Sequence, residues 1–274
     1  MRRPFEVALV AAVGLVLAFL LLPLAAVFLR VPPGTLFAQL GSEVARDALL
    51  VSLKTSLIAH VFVLGIGTPA AYLLATRRFR GRELIVTLIE LPLVLPPAVA
   101  GIGLLAAFGR AGLLGGTLEA AGISIPFTQA AVVLAVIFVS SPFYVRFAIA
   151  AFESVDSSFL DASRTLGAGP RRTFLRIALP IAGGGLSAAS ALAFARGLGE
   201  FGATIMFAGS FQGRTQTLLL AIYAQLDIDF DVALAIGALL VLVSVAVILA
   251  LKLLPSWTRF VSTSLSAVAP SRSS

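Results

Sequence analysis

Apolar residues along this chain gather into six long runs, at about 7–29, 49–75, 84–108, 129–151, 181–208 and 232–254, with polar stretches between them. Each run is long enough to cross a ~30 Å hydrocarbon core as a helix, once tilt and a few terminal charges are allowed. The runs are continuous, whereas the strands of a membrane barrel alternate apolar and polar positions over about ten residues. The pattern therefore predicts an all-α polytopic membrane protein with six transmembrane helices and both termini on one side. The first run has 23 uncharged residues from Val7 to Leu29, longer than the ~7–15 residues of a secretory h-region. It reads as a retained first helix, with a cleaved signal as the alternative.

The basic residues orient these spans. Arg2, Arg3, Arg77, Arg78, Arg80, Arg82, Arg164, Arg171, Arg172, Arg176, Lys252, Arg259 and Arg272 fall on one face, against Arg30, Arg46, Arg110 and Arg214 on the other. An excess of Lys and Arg marks the cytoplasmic side, so the N- and C-termini are expected to be cytoplasmic. Composition agrees with a membrane protein: 59% of residues are hydrophobic and 12% charged, with a mean hydropathy of +1.05. The net charge of +7 lies in short clusters between apolar runs and forms no continuous basic face, which argues against nucleic acid as a partner. With no cysteine and only His60, thiolate and histidine metal sites are not expected.

Helix-disturbing residues interrupt several runs: Pro92, Pro96 and Pro97 in the third, Pro142 in the fourth, and Gly183, Gly184 and Gly185 opening the fifth. The proline run fits two readings, a bent helix lining a pathway or a kink buried in the bundle. The polar stretch from Glu153 to Pro180 reads as two short helices. Ser157 or Ser158 can cap the first, Gly167 can end it in the left-handed conformation, and Pro170 suits the first turn of the second. Phe159, Ala162 and Leu166 share one face of the first; Phe174, Ile177 and Ala178 share one face of the second. With small residues at Ala162 and Ser163, this predicts a surface that inserts into a partner's groove. An amphipathic loop lying in the bilayer interface is the competing reading.

Asp161-Ala162-Ser163, Gly167 and then Ile177-Ala178-Leu179-Pro180 keep the spacing E-A-A-x3-G-x9-I-x-L-P, with Asp in place of Glu and Ser in place of the second Ala. This stretch resembles the cytoplasmic coupling motif of ABC importer permeases. Two further stretches, Leu91-Pro-Leu-Val-Leu-Pro-Pro-Ala-Val-Ala-Gly101 and Phe194-Ala-Arg-Gly-Leu-Gly-Glu-Phe-Gly-Ala-Thr-Ile-Met-Phe-Ala-Gly209, resemble the molybdate permease subunits of that family. Sulfate and tungstate permeases are the alternatives within it. The resemblance implies a type I importer permease fold with a permease domain over 48–255, preceded by a helix and external loop (1–47). The short tail 256–274 is expected to hold no regulatory domain.

As partners the resemblance implies a second copy of the chain, two cytoplasmic ABC ATPase subunits and an extracytoplasmic molybdate-binding protein, all around a pore in the lipid bilayer. It also implies that Asp161, Ala162, Ser163, Gly167, Ile177, Leu179 and Pro180 engage the ATPase. Pro96, Pro97, Arg196, Gly199, Glu200, Phe201 and Gly202 are then the candidates for the gate. The chain has no G-x-x-x-x-G-K-[ST] loop, so ATP and magnesium are expected on the partner ATPase, and no catalytic residue or cofactor is expected in this chain.

Charges inside spans are costly in lipid. Arg196 and Glu200, at i and i+4, are expected to form a structural ion pair. Glu90 and Arg146 are expected to snorkel near the ends of their spans, and Lys54 and His60 have no evident partner. An ion-coupled secondary transporter would also have six spans and broken helices, and a polytopic membrane enzyme is a third class. Neither accounts for the loop at 153–180.

Overall fold

A computed structural model of the chain describes residues 2–252, and these form helices joined by turns, with no strand among the described residues. Five helices are long and apolar enough to cross a membrane, and a bent pair makes a sixth crossing if counted as one span. In chain order the elements are α1 (Arg2–Arg30), α2 (Pro33–Leu40), α3 (Glu43–Thr76), α4 (Arg82–Val94), α5 (Pro97–Phe108), α6 (Gly115–Ala120) and α7 (Gln129–Glu153). There follow α8 (Ser157–Thr165), α9 (Pro170–Thr173), a π-helical turn (Phe174–Ala178), α10 (Leu179–Leu198), α11 (Gly202–Ala208), α12 (Leu218–Leu226) and α13 (Phe230–Lys252). The expected tail 256–274, with Arg259 and Arg272, lies outside the described residues.

The third and fifth expected spans are not single helices. The third divides into α4 and α5, which meet at 113°. Leu95 precedes a proline and so does Pro96, and proline disfavours the helical region for the residue before it. Both are accordingly extended, with ψ of 133° at each. This break carries partly or fully exposed prolines at 92, 96 and 97, and a bend of 113° matches the bent-helix reading better than a kink within a continuous helix. Pro142, by contrast, is buried within an unbroken α7. The fifth apolar run belongs to a helix that begins earlier and ends earlier than expected, running from Pro170 through the π turn to Leu198 before breaking at Gly199–Phe201.

Glycine and alanine set the packing, as expected where lipid removes any hydrophobic drive between helices and close backbone approach must supply the attraction. A Cβ at Gly67 of α3 would lie 2.8 Å from the Tyr144 ring of α7. The Tyr144 hydroxyl in turn lies 2.6 Å from Thr68 Oγ1. Gly183, Gly184 and Gly185 do not loosen the start of a span; they sit inside the helix, and Gly185 is pressed against Ala151 of α7, whose Cβ would be 2.6 Å from an added Cβ.

Three apolar cores result. One joins α3, α7 and α10 toward the arginine-rich face, around Tyr144, Ala148, Phe152, Ala182 and Ala189. A second joins α5, α7 and α11 toward the other face, around Leu104, Val132 and Phe207. The third packs the start of α3 against α12 and α13. Between the first and second cores His60 does have a partner: its Nε2 lies 2.8 Å from Ser190 Oγ, and its ring meets Phe194 edge-on at 5.2 Å. Lys54 donates to Gln129 Oε1 at 2.9 Å.

Replacing Gly185 with Leu should lower thermal stability of the detergent-solubilised chain by about 1–3 kcal/mol through overpacking against Ala151. Gly65→Ala, where an added Cβ meets nothing within 4 Å, should leave the melting temperature unchanged or raised. Equal melting shifts in the two variants would contradict this packing.

Candidate functional site

Two regions carry the residues expected to act: the loop segment 153–180 on the arginine-rich face, and the facing breaks of the α4–α5 pair and the α10–α11 pair. In the loop segment α8 is capped by Asp156, whose side chain accepts from the Ser158 N–H at 2.9 Å; the cap is not Ser157 or Ser158. That backbone hydrogen bond, helped by the Ser158 side chain, holds the Asp156 carboxyl below its ordinary range. Gly167 ends α8 at φ +80°, a conformation only glycine adopts cheaply. Pro170 opens α9 at the position where its missing N–H costs nothing.

The residues matching the motif divide into an outer and an inner set. Asp161, Ala162, Gly167 and Pro180 are exposed, beside Phe159 and Leu166. Ser163 is not an approachable small residue as expected; it is buried, 2.9 Å from the hydroxyl of Thr173, and ties α8 to α9. The second expected face also turns inward. Ala178 is buried, and Phe174, Ile177 and Leu179 pack on the core of α3, α7 and α10. Phe174 meets Tyr72 at 4.8 Å and Phe152 at 6.3 Å, and Tyr72 meets Phe152 at 5.3 Å. This aromatic trio joins the π turn to α3 and α7. Thr173, Tyr72 and Phe152 carried no signal in sequence, because their role comes from where three separate helices meet.

At the second region the two breaks touch. A Cβ at Gly202 would lie 2.7 Å from Pro97 Cβ and 3.0 Å from the Ala98 nitrogen, and one at Gly101 would lie 2.7 Å from the Ala203 carbonyl oxygen. Pro97 and Gly202 are thus in contact at the positions where each span interrupts. The Glu200 side chain is 1% exposed and accepts from Arg196 Nη1 at 2.8 Å, as the expected ion pair requires. Its other oxygen accepts from the Ala203 N–H at 2.7 Å, which satisfies the start of α11. The Arg196 guanidinium also stands 5.9 Å over the Phe143 ring. Gly199 is exposed, and its added Cβ would find nothing nearer than 3.6 Å. Phe201 is half-buried and stacks obliquely on Tyr223 at 5.1 Å.

A helical bundle crossing the membrane five or six times, with two interrupted spans in contact at their breaks and a folded polar segment on one face, has the architecture of a transport permease. Residues 67–259 match the family of binding-protein-dependent transport system inner membrane components, and the chain belongs to that family. It is a multi-pass protein of the cytoplasmic membrane. The chain is 47% identical over 222 residues to the molybdenum transport system permease protein ModB of Mycobacterium tuberculosis, covering 81% of this chain and 83% of that one. It is 44% identical over 178 residues to ModB of Escherichia coli K12, covering 65% and 78%. With a probable molybdenum ABC transporter permease protein of Haloferax volcanii it shares 40% identity over 197 residues, 71% of each chain.

Among solved structures, the fold matches a bacterial alginate ABC transporter with a TM-score of 0.74 at 16% identity, covering 90% of this chain and 92% of that one. It matches the inward-facing MetNI methionine ABC transporter with a TM-score of 0.60 at 21% identity, covering 76% and 93%.

Two measurements test the geometry. Gly202→Leu should displace Pro97 and reduce transport strongly, while Gly199→Ala should stay near wild type; comparable loss in both would remove the argument from close contact. Because the Asp156 carboxyl is held low in the folded chain, its cap is present at neutral pH and lost as the pH falls through that lowered value. Amide exchange at Ser158 should therefore rise only in acid below the ordinary carboxylate range, and Asp156→Asn, which still caps, should abolish that dependence.

Proposed function

We propose that this chain is the pore-forming subunit of an ATP-driven importer of molybdate, working as a homodimer with two cytoplasmic ABC ATPases and an extracytoplasmic molybdate-binding protein. The observation that carries this reading is the 47% identity over 222 residues to a molybdenum transport permease. The exposed Asp161, Ala162 and Gly167, set on a braced segment of the arginine-rich face, support that face as cytoplasmic and as the ATPase contact.

In this reading ATP binding closes the ATPase pair, and the segment 153–180 carries the closure into the bundle. The outer residues Asp161, Ala162, Gly167 and Pro180 meet the ATPase. Ser163, Ile177 and Leu179 transmit the load, since they are packed into the chain's own core. Contact between Pro97 and Gly202 supports the facing breaks as the gate, because an interrupted helix reorients at its break with less loss of backbone hydrogen bonds than an unbroken one. Glu200 and Arg196 hold that gate in shape and do not bind substrate. ATP hydrolysis belongs to the partner, and this subunit contributes no catalytic group. Selectivity resides in the delivery protein, because tight binding within the pore would slow release.

Uptake of labelled molybdate by vesicles carrying the full complex should be competed by unlabelled molybdate ahead of sulfate; preferential competition by sulfate would overturn the assigned substrate, and by tungstate would reassign it. Gly167→Leu forces a left-handed turn on a side chain that resists it by about 1–2 kcal/mol. It should abolish the stimulation of ATP hydrolysis by loaded binding protein, and unchanged stimulation would count against the coupling assignment.

A further inference from the structure

Arg82, the first residue of α4, gathers three separate parts of the arginine-rich face. Its Nε donates to the Leu74 carbonyl at 2.6 Å near the end of α3, and its Nη1 donates to Glu83 at 2.5 Å. Its Nη2 donates to Glu153 at 2.6 Å, on the last residue of α7. The Arg82 side chain is only 21% exposed, and a planar guanidinium satisfied on three sides holds its direction better than a lone surface pair. A second pair repeats the link eight residues on: Arg146 of α7 lies 3.3 Å from Glu90 of α4. Glu90 and Arg146 therefore do not snorkel separately. Two turns separate Arg82 from Glu90 along α4 and about two separate Arg146 from Glu153 along α7, so the pairs are rungs of one antiparallel ladder.

The ladder ends where the loop segment begins. Only Ser154, Val155 and Asp156 lie between Glu153 and α8, and Val155 is buried in the core that also holds Phe152 and Ala178. At its other end α4 stops at the 113° break, beyond which α5 packs against α11 through Gly101 and Gly202. A cavity of about 870 Å³ between Phe79, Arg82, Glu153, Leu160 and Arg164 separates the ladder's end from α8.

We propose that Arg82 is a positioning residue for transport: its clasp on Glu153, with Glu90–Arg146 as the second rung, makes α4 travel with the ATPase-facing segment. The break at Leu95–Pro96 then turns that travel into displacement of α5 against Gly202. This rests on the importer reading above. Coupling of this kind needs an element with two arrangements that both sites bias, and the proposal assigns that part to the span broken between α4 and α5.

The test uses the full complex in liposomes, with Arg82→Glu, Glu153→Arg and the double charge exchange. Each single variant should retain the co-purifying ATPase but lose at least about fivefold in oxyanion imported per ATP hydrolysed, and the double exchange should recover part of it, since a carboxylate at position 82 restores the pair with position 153 but cannot donate to the Leu74 carbonyl and stands beside Glu83. Spin labels at Ile102→Cys on α5 and Leu192→Cys on α10, introduced into a chain that contains no cysteine, should report a nucleotide-driven distance change. That change should vanish in the single variants and return in part in the double. An unaltered import-to-hydrolysis ratio, or an unaltered label shift, in the single variants overturns the proposal. Should Arg82→Glu fail to assemble, Glu153→Gln carries the same test, because it weakens the clasp at constant size. If the unaltered complex imports no oxyanion, the functional reading fails instead, and the labels still decide on the clasp because they need only nucleotide and the ATPase.

Discussion

A membrane interior offers no water to a broken helix, so every interruption must be paid for by a named partner, and at the centre of this chain that partner is the Glu200 carboxylate. One oxygen takes the Ala203 N–H at the start of α11 and the other takes the Arg196 guanidinium from the last turn of α10. Without this carboxylate, the turn at Gly199–Phe201 would leave an amide and a cation unmatched in a low-dielectric setting. With it, the chain can stop α10, step sideways and place Gly202 against Pro97. The close contact of the two breaks, and with it the packing of α5 on α11, follows from one buried side chain with two obligations.

The loop segment shows a comparable division of labour on a smaller scale. Its motif mixes residues that face outward with residues that hold them there. Ser163 bonding Thr173, and Phe174 set between Tyr72 and Phe152, fix the orientation of α8 relative to the bundle. In the proposed role as ATPase contact, an exposed surface transmits force only if its foundation is stiff, and here the segment rests on the apolar core shared by α3, α7 and α10.

Much of this was legible in the residues alone. Continuous apolar runs announced the spans, the arginines marked one face, Gly167 and Pro170 announced the turn, and the i, i+4 spacing of Arg196 and Glu200 announced their pairing. The failures share one physical origin. Lys54 with Gln129, His60 with Ser190 and Glu90 with Arg146 meet across helices far apart in sequence, and no local periodicity encodes such meetings. Gly183–Gly185 and Gly199–Gly202 look alike as glycine-rich stretches, yet one permits close packing within a helix and the other interrupts it. Only the neighbouring chain distinguishes them. Asp156, Ser157 and Ser158 are three cap-forming residues in a row, so the choice among them rests on the entry angle of the backbone.

The π turn at Phe174–Ala178 has a consequence for how the two ends of one long helix are related. Adding a residue to a single turn rotates everything before it by about 100° relative to everything after it. The side of the helix that α10 presents to α7 and the side that α9 presents to Ser163 through Thr173 therefore need not be continuous in the sequence. The wide turn acts as a phase correction, allowing the packing of α10 on α7 and the hold of Thr173 on Ser163 of α8 to be selected separately although both are carried on one continuous helix.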